Sequence, residues 1–272
     1  MPGFEQLLLF LFFGLISGLL GGFFGVGGGT IYVPVLTAFY AEKAHLGAPF
    51  VAFIIGNSLF LTLISGLSGS FKQYRLRNFH WRPVLFIGLS GALSAVFISM
   101  LLTRLPQYNK EAFSWLFTLV LLPMVVRMFL KRKEQVPAER PLLPQSMLGI
   151  GLLSGCISAL TGLGGGVVMV PLLSERLNMP IRKATSISLG AIVIMASGSV
   201  SWYALQTNTA ILGPWQWGII SLPAVLPMGL GVLVSAPWGV HLGNRVTPAT
   251  NKLLFLLFFI IVILQMHFNI FY

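Results

Sequence analysis

The chain has 272 residues, 56% hydrophobic and 8% charged, with a formal net charge of +11 and a mean hydropathy of +0.88. A soluble domain carries about 25% charged residues, so little polar sequence is available to clothe a soluble core, and the composition predicts an all-α polytopic membrane protein in contact with a lipid bilayer. The basic excess then reads as Lys/Arg held in cytoplasmic loops, not as a nucleic-acid footprint.

Residues 4–40 are too long for one span, about 55 Å at 1.5 Å per residue against an apolar core of about 30 Å, and slightly short for two. Gly25, Gly27, Gly28 and Gly29 fall inside this stretch, where each costs a helix roughly 1 kcal/mol relative to Ala. The expectation is therefore a broken element. Residues 7–23 enter, the glycines run in irregular backbone, and residues 30–40 form a short helix. No basic stretch precedes the first apolar run, so no cleaved signal peptide is expected.

A polar patch with Glu42, Lys43 and His45 follows, with His45 read as a loop residue. Residues 49–70 span, and Lys72, Arg75, Arg77, His80 and Arg82 make a basic loop. Residues 84–103 span, 104–110 turn and 112–130 span. The hydrophilic linker 131–145 divides a first repeat, 1–130, from a second, 146–272. There the order recurs: a broken element at 146–173, a basic loop at 175–183, a span at 184–205, an uncharged loop at 206–216, a span at 217–242, a turn at 243–252 and a last span at 253–268.

The halves match without a gap over 14–36 and 151–173. Gly14, Ser17, Gly18, Gly25 and Gly27–Gly29 align with Gly151, Ser154, Gly155, Gly162 and Gly164–Gly166, and the Val33-Pro34-x-Leu36 tail keeps register with Val170-Pro171-x-Leu173. Further on, Ser68-Gly69-Ser70 aligns with Ser197-Gly198-Ser199, and Asn57-Ser58 more weakly with Thr185-Ser186.

Charge sets the relative orientation of the halves. If each broken element is re-entrant, 14 of the 17 Lys/Arg fall on one side, and Lys43, Arg104 and Lys110 on the other. If each crosses once, the split is nearly even. The positive-inside rule favours the first arrangement, which makes the repeats inverted, the linker cytoplasmic and both termini external.

Inverted repeats with discontinuous helices at matching positions point to a secondary transporter with a midplane site. The chemistry fits an anion. A helix N-terminus offers unpaired N–H groups and about half a positive charge, and glycine lets a ligand approach that backbone. There is no Asp, and the six Glu lie at span edges or in loops, whereas cation carriers place carboxylates within the membrane. The candidate substrate-binding residues are Gly27, Gly28, Gly29, Thr30, Asn57, Ser58, Gly164, Gly165, Gly166, Thr185 and Ser186. No cofactor or metal is expected, since Cys156 is the sole cysteine and no ligand-spaced His/Cys/Asp/Glu cluster exists. The chain also lacks a nucleotide motif, and it is not expected to be an enzyme. Gly14-x-x-x-Gly18 and Gly151-x-x-x-Gly155 have helix-packing spacing and permit a homodimer.

The doubled pattern G-x-G-G-G-x-x-x-x-P-x-L at 25–36 and 162–173 resembles the sulfite exporter TauE/SafE family, part of the four-toluene sulfonate uptake permease superfamily. Asn57-Ser58, Ala184-Thr185-Ser186 and the run 74–81 add to the likeness, although the family commonly shows Thr-Ser where this chain has Asn57-Ser58. The resemblance implies a multi-pass carrier of the bacterial inner membrane, commonly exporting sulfite or sulfonates such as sulfoacetate. An anion channel, or a carrier of another small organic anion such as a carboxylate or phosphonate, is the alternative.

Overall fold

The computed structural model describes residues 3–104, 108–130, 141–206 and 215–247, with isolated residues between 250 and 264. Most of the linker and much of the last span lie outside the described residues. Helix α1 (Phe4–Phe24) ends at Gly25, which caps it in the left-handed conformation. Helix α2 (Gly29–Phe39) follows, then a 3₁₀ turn at Ala41–Leu46. The long helix α3 (Ala48–Arg75) leads to α4 (Trp81–Leu102) and α5 (Lys110–Leu130). In the second half α6 (Pro144–Thr161) ends at the left-handed Gly162, and α7 (Gly166–Pro171) widens after its proline into a π turn at Leu172–Arg176. Helix α8 (Ile181–Ala204) precedes α9 (Leu222–Gly243). The fold is thus all-α and polytopic, with α1, α3, α4, α8 and α9 each long and apolar enough to cross a membrane.

The expected helix start at residue 217 is corrected. Residues 216–221 form a small antiparallel hairpin, β1 (Gln216–Trp217) with β2 (Ile220–Ser221). Gly218 makes the turn possible with φ +62°, and α9 waits for Leu222 and the Pro223 that opens it.

Each broken element is a re-entrant hairpin. Gly28 packs beside Gly21 and the Ser17 carbonyl, and the Phe39 ring lies tilted against that of Phe10, so α2 runs back along α1. Likewise Gly165 packs on the Ser154 carbonyl, and Leu172 and Arg176 lie beside Ile150 and Ser146.

The long helices line up in the spatial order α1, α9, α3, α8, α4, α6. Within a membrane the hydrophobic effect does not drive helices together, so close approach at small residues carries the packing. Gly14 lies on the Met228 backbone, Gly18 on Val232 and Gly22 on Ala236, so α1 runs parallel to α9. Gly151 lies on the Ile87 and Gly91 backbone and Gly155 on Gly91, so α6 runs parallel to α4. These glycine faces, which the sequence left available for a homodimer, are therefore used inside the chain. The Ser68 hydroxyl donates to the Leu233 carbonyl at 3.0 Å, and Gly229 meets Ile64, which sets α3 parallel to α9. Gly88 meets Ile194 and Gly198 meets Val96, which sets α4 parallel to α8. Only across the central pair is the direction reversed: Gly56 meets Tyr203, and Gly66 meets Leu189 and Val193. Helices α3 and α8 each have 72% of their most apolar window buried by protein, against 39–50% for the other three spans.

The basic loops of the two halves meet. Asn78, between α3 and α4, donates to the Arg182 carbonyl at 2.9 Å, and its own carbonyl accepts from the Ser186 hydroxyl. Trp81 at the start of α4 and Trp215 and Trp217 at the β1–β2 hairpin are exposed, as interfacial anchors are.

Candidate functional site

The two hairpin tips meet at the middle of α3 and α8. Gly25, Gly27 and Gly28 have φ of +72°, +82° and +80°, and Gly162, Gly164 and Gly165 have +72°, +75° and +76°. A left-handed backbone costs other residues roughly 1–2 kcal/mol each, so three glycines of the doubled pattern are explained by conformation. The last, Gly29 or Gly166, is already helical and is there for proximity. A Cβ on Gly29 would fall 2.7 Å from both the Gly162 carbonyl oxygen and Leu163 Cα, and one on Gly166 would fall 2.7 Å from Val26 Cα. The tips are in backbone-to-backbone contact, and protein buries the irregular chain as membrane depth requires.

Each tip is pinned by a serine of the opposite half. Ser58 on α3 donates to the Gly162 carbonyl at 2.8 Å, and Ser188 on α8 donates to the Gly25 carbonyl at 2.7 Å. Satisfying these carbonyls matters because a buried acceptor left unpaired costs about 1–3 kcal/mol. The N–H groups are treated differently. Gly28 and Gly165 cap α2 and α7 without any side-chain bond. Among the described residues, no hydrogen bond takes up the N–H groups of Gly28, Gly29 and Thr30.

The other anticipated residues divide. Gly27 and Gly164 come together on the Thr62 methyl group. Thr185 packs on Gly25 and donates to its own helix at the Arg182 carbonyl, 3.1 Å away. Ser186 turns to the Asn78 carbonyl instead, so the partner of Ser58 across the halves is Ser188. The side chain of Asn57 is fully committed. Its amide donates to the Phe53 and Ile219 carbonyls at 2.8 and 3.0 Å, and its oxygen accepts from the Ser221 N–H at 2.8 Å. It fastens the β1–β2 hairpin to α3.

The sequence reading missed Thr62, Ser65 and Tyr32. Like Thr30, they are fully buried, and none of these four hydroxyls has a hydrogen-bond partner. Tyr32 Oη faces the hydroxyls of Ser17 and Ser65 without a well-formed bond to either. Buried polar groups are nearly always satisfied, so such a cluster beside free N–H groups marks a place for a polar ligand or water. Its one sequence signal is the α3 spacing of Ser58, Thr62 and Ser65, which puts all three on one face. Every buried polar side chain described is that of a Ser, Thr, Asn, Gln or Tyr. Among the described residues no group of His, Cys, Asp and Glu could hold a metal, and His45 is a surface residue bonded to the Glu42 carbonyl.

The chain resembles proteins named as probable membrane transporters. It is 26% identical to one from Methanocaldococcus jannaschii over 90% of both chains. It is 26% identical to one from Haemophilus influenzae, over 97% of this chain and 98% of that one. It is 27% identical to YunE of Bacillus subtilis, over 75% of this chain and 83% of that one. The profile of the sulfite exporter TauE/SafE family matches residues 10–266, a stretch that takes in both hairpins, their pinning serines and the six-helix row. A multi-pass membrane transporter built on two re-entrant glycine tips, this chain belongs to the sulfite exporter TauE/SafE family.

Proposed function

We propose that the chain is a secondary carrier of a small sulfur-containing anion, sulfite or an organosulfonate such as sulfoacetate, exporting it across a bacterial inner membrane. The observation that carries this reading is the pair of glycine tips meeting midway along α3 and α8, with the unclaimed N–H groups of Gly28, Gly29 and Thr30 at the start of α2. N–H and O–H donors without any buried acidic or basic side chain suit an anion that must be released again. The opposed directions of α3 and α8, and of the α1–α9 and α6–α4 pairs, support reading the halves as inverted repeats. Carriers of that construction expose a fixed midplane site alternately to each side. The sealed contact at the tips favours such a carrier over a continuous pore. The meeting of the basic loops, 76–80 with 182–186, supports a single cytoplasmic side that also holds the linker 131–145.

Counterflow in proteoliposomes tests this. Vesicles loaded with unlabelled sulfite or sulfoacetate should accumulate the labelled anion transiently. Flux without trans-stimulation would establish a channel. Failure of every anion, carboxylates and phosphonates included, would refute the anion assignment.

A further inference from the structure

The two halves present matching positions with opposite chemistry. On α3, Ser58, Thr62 and Ser65 share a face; on α8, Ser188, Ile192 and Met195 repeat that spacing. The first position is serine in both and pins the opposite tip at 2.8 and 2.7 Å. The next two diverge, hydroxyls on α3 and apolar side chains on α8. The hairpins diverge in the same sense. Thr30 and Tyr32 on α2 stand where Val167 and Met169 stand on α7. All eight of these diverging side chains are buried.

Four of them flank the tips. A Cβ on Gly27 would meet Thr62 Cγ2 at 2.7 Å and Ile192 Cδ1 at 3.4 Å, so Thr62 and Ile192 flank one tip residue. Tyr32 Oη lies 2.6 Å from the corresponding point on Gly28, and Met195 Cε 3.2 Å from that on Gly165. The hydroxyls of Thr30, Tyr32, Thr62 and Ser65 have no partner. At these four matched positions the side chains of one half are thus unspent hydroxyls and those of the other methyl and thioether groups, while Ser154, the counterpart of Ser17, keeps an unpartnered hydroxyl beside Gly165.

Resting on the reading of the chain as an anion carrier, we infer that the site is one-sided. Thr62, Ser65 and Tyr32, with the N–H groups at the start of α2, hold the oxyanion head. Ile192 and Met195 receive an apolar end. The ligand this fits is a small anion with a polar head and a carbon tail, bound in one orientation off the axis that relates the halves. A tailless inorganic oxyanion would leave the apolar wall without a partner.

The test is calorimetric binding to the purified full chain, with ethanesulfonate and sulfite as probes and melting measured alongside. Wild type should bind ethanesulfonate at least about tenfold more tightly than sulfite. Thr62→Val and Ser65→Ala should each weaken both anions by about tenfold. Because the removed hydroxyls have no partner, both variants should melt, without ligand, at or above the wild-type temperature; a structural role would lower it. Met195→Ser should narrow the preference for ethanesulfonate. Unchanged affinity in both hydroxyl variants, or sulfite bound as tightly as ethanesulfonate, would overturn the one-sided site and leave the anion carrier standing. If neither probe nor any other anion binds wild type, the carrier reading itself falls.

Discussion

Substituting Gly29 by alanine isolates proximity from backbone strain, because Gly29 is helical and Gly28 is not. A Cβ at Gly29 sits 2.7 Å from the Gly162 carbonyl oxygen, where ordinary contact begins at 3.4 Å. The tips must therefore part by roughly 0.7 Å, and a gap of that size forfeits about a quarter to a half of the attraction across the junction. Overpacking of this kind costs about 1–3 kcal/mol, and alanine at a helical position returns about 1 kcal/mol. The net loss of stability is small, about 0–2 kcal/mol. It falls on whichever state holds the tips together. If that is the occluded state of the transport cycle, a penalty of about 1.4 kcal/mol slows exchange about tenfold. Gly29→Ala should therefore melt close to wild type and exchange anion far more slowly, and Gly166→Ala should do the same from the other tip. Gly28→Ala should instead lose stability, since its φ of +80° adds about 1–2 kcal/mol of left-handed strain. Wild-type exchange in both Gly29→Ala and Gly166→Ala would refute the idea that tip contact belongs to the cycle.

Ser58→Ala and Ser188→Ala should cost nearly equal amounts, about 1–3 kcal/mol each, because each strands one tip carbonyl; unequal losses in denaturant-melting midpoints would break that equivalence. Asn57→Leu strands the Ile219 carbonyl and the Ser221 N–H, so hydrogen exchange should accelerate at 216–221 while the α1–α2 hairpin stays protected. Gly155→Leu should abolish folding, as its side chain would enter the Gly91 backbone. Gly149, on the same helix with nothing within 4 Å of a Cβ, should accept alanine and gain about 1 kcal/mol; size-exclusion profiles and melts separate the two.

Much of this architecture is legible from glycine spacing and charge placement. Three glycines in an apolar run predict a break, and Val-Pro-x-Leu in register predicts that the break recurs. The basic residues at 72–82 and 176–183 predict loops, and Asn78 brings those loops into contact. The site's side chains are harder to read. Thr62 is one threonine in an apolar helix, ordinary until the fold brings two tips against its methyl. Ser188 escaped because the weak likeness of Asn57-Ser58 to Thr185-Ser186 pairs Ser58 with Ser186, and the stronger Ser-Gly-Ser match pairs it with Ile187, whereas the hydroxyl that reaches the far carbonyl is Ser188. Residues 217–221 read as the start of a helix because tryptophan and isoleucine suit a span as well as a hairpin, and the turn rests on Gly218 alone.

The parallel packing of α1 with α9 and of α6 with α4 has a mechanical consequence. Helices α1, α9 and α3 point one way and draw on both halves; α6, α4 and α8 point the other way and do the same. Glycine seats bring backbones into contact between α1 and α9 and between α6 and α4, whereas the glycines of the α3–α9, α4–α8 and α3–α8 contacts meet mainly side chains. Any rocking that spares the backbone seats must carry α1 with α9 and α6 with α4, each pair a rigid rotor. The rotors cut across the two matching halves of the sequence instead of following them. Neither half of the chain contains a complete rotor, so a half expressed alone would lack a partner for its first helix, and the two halves expressed together would have to interlock before either could move.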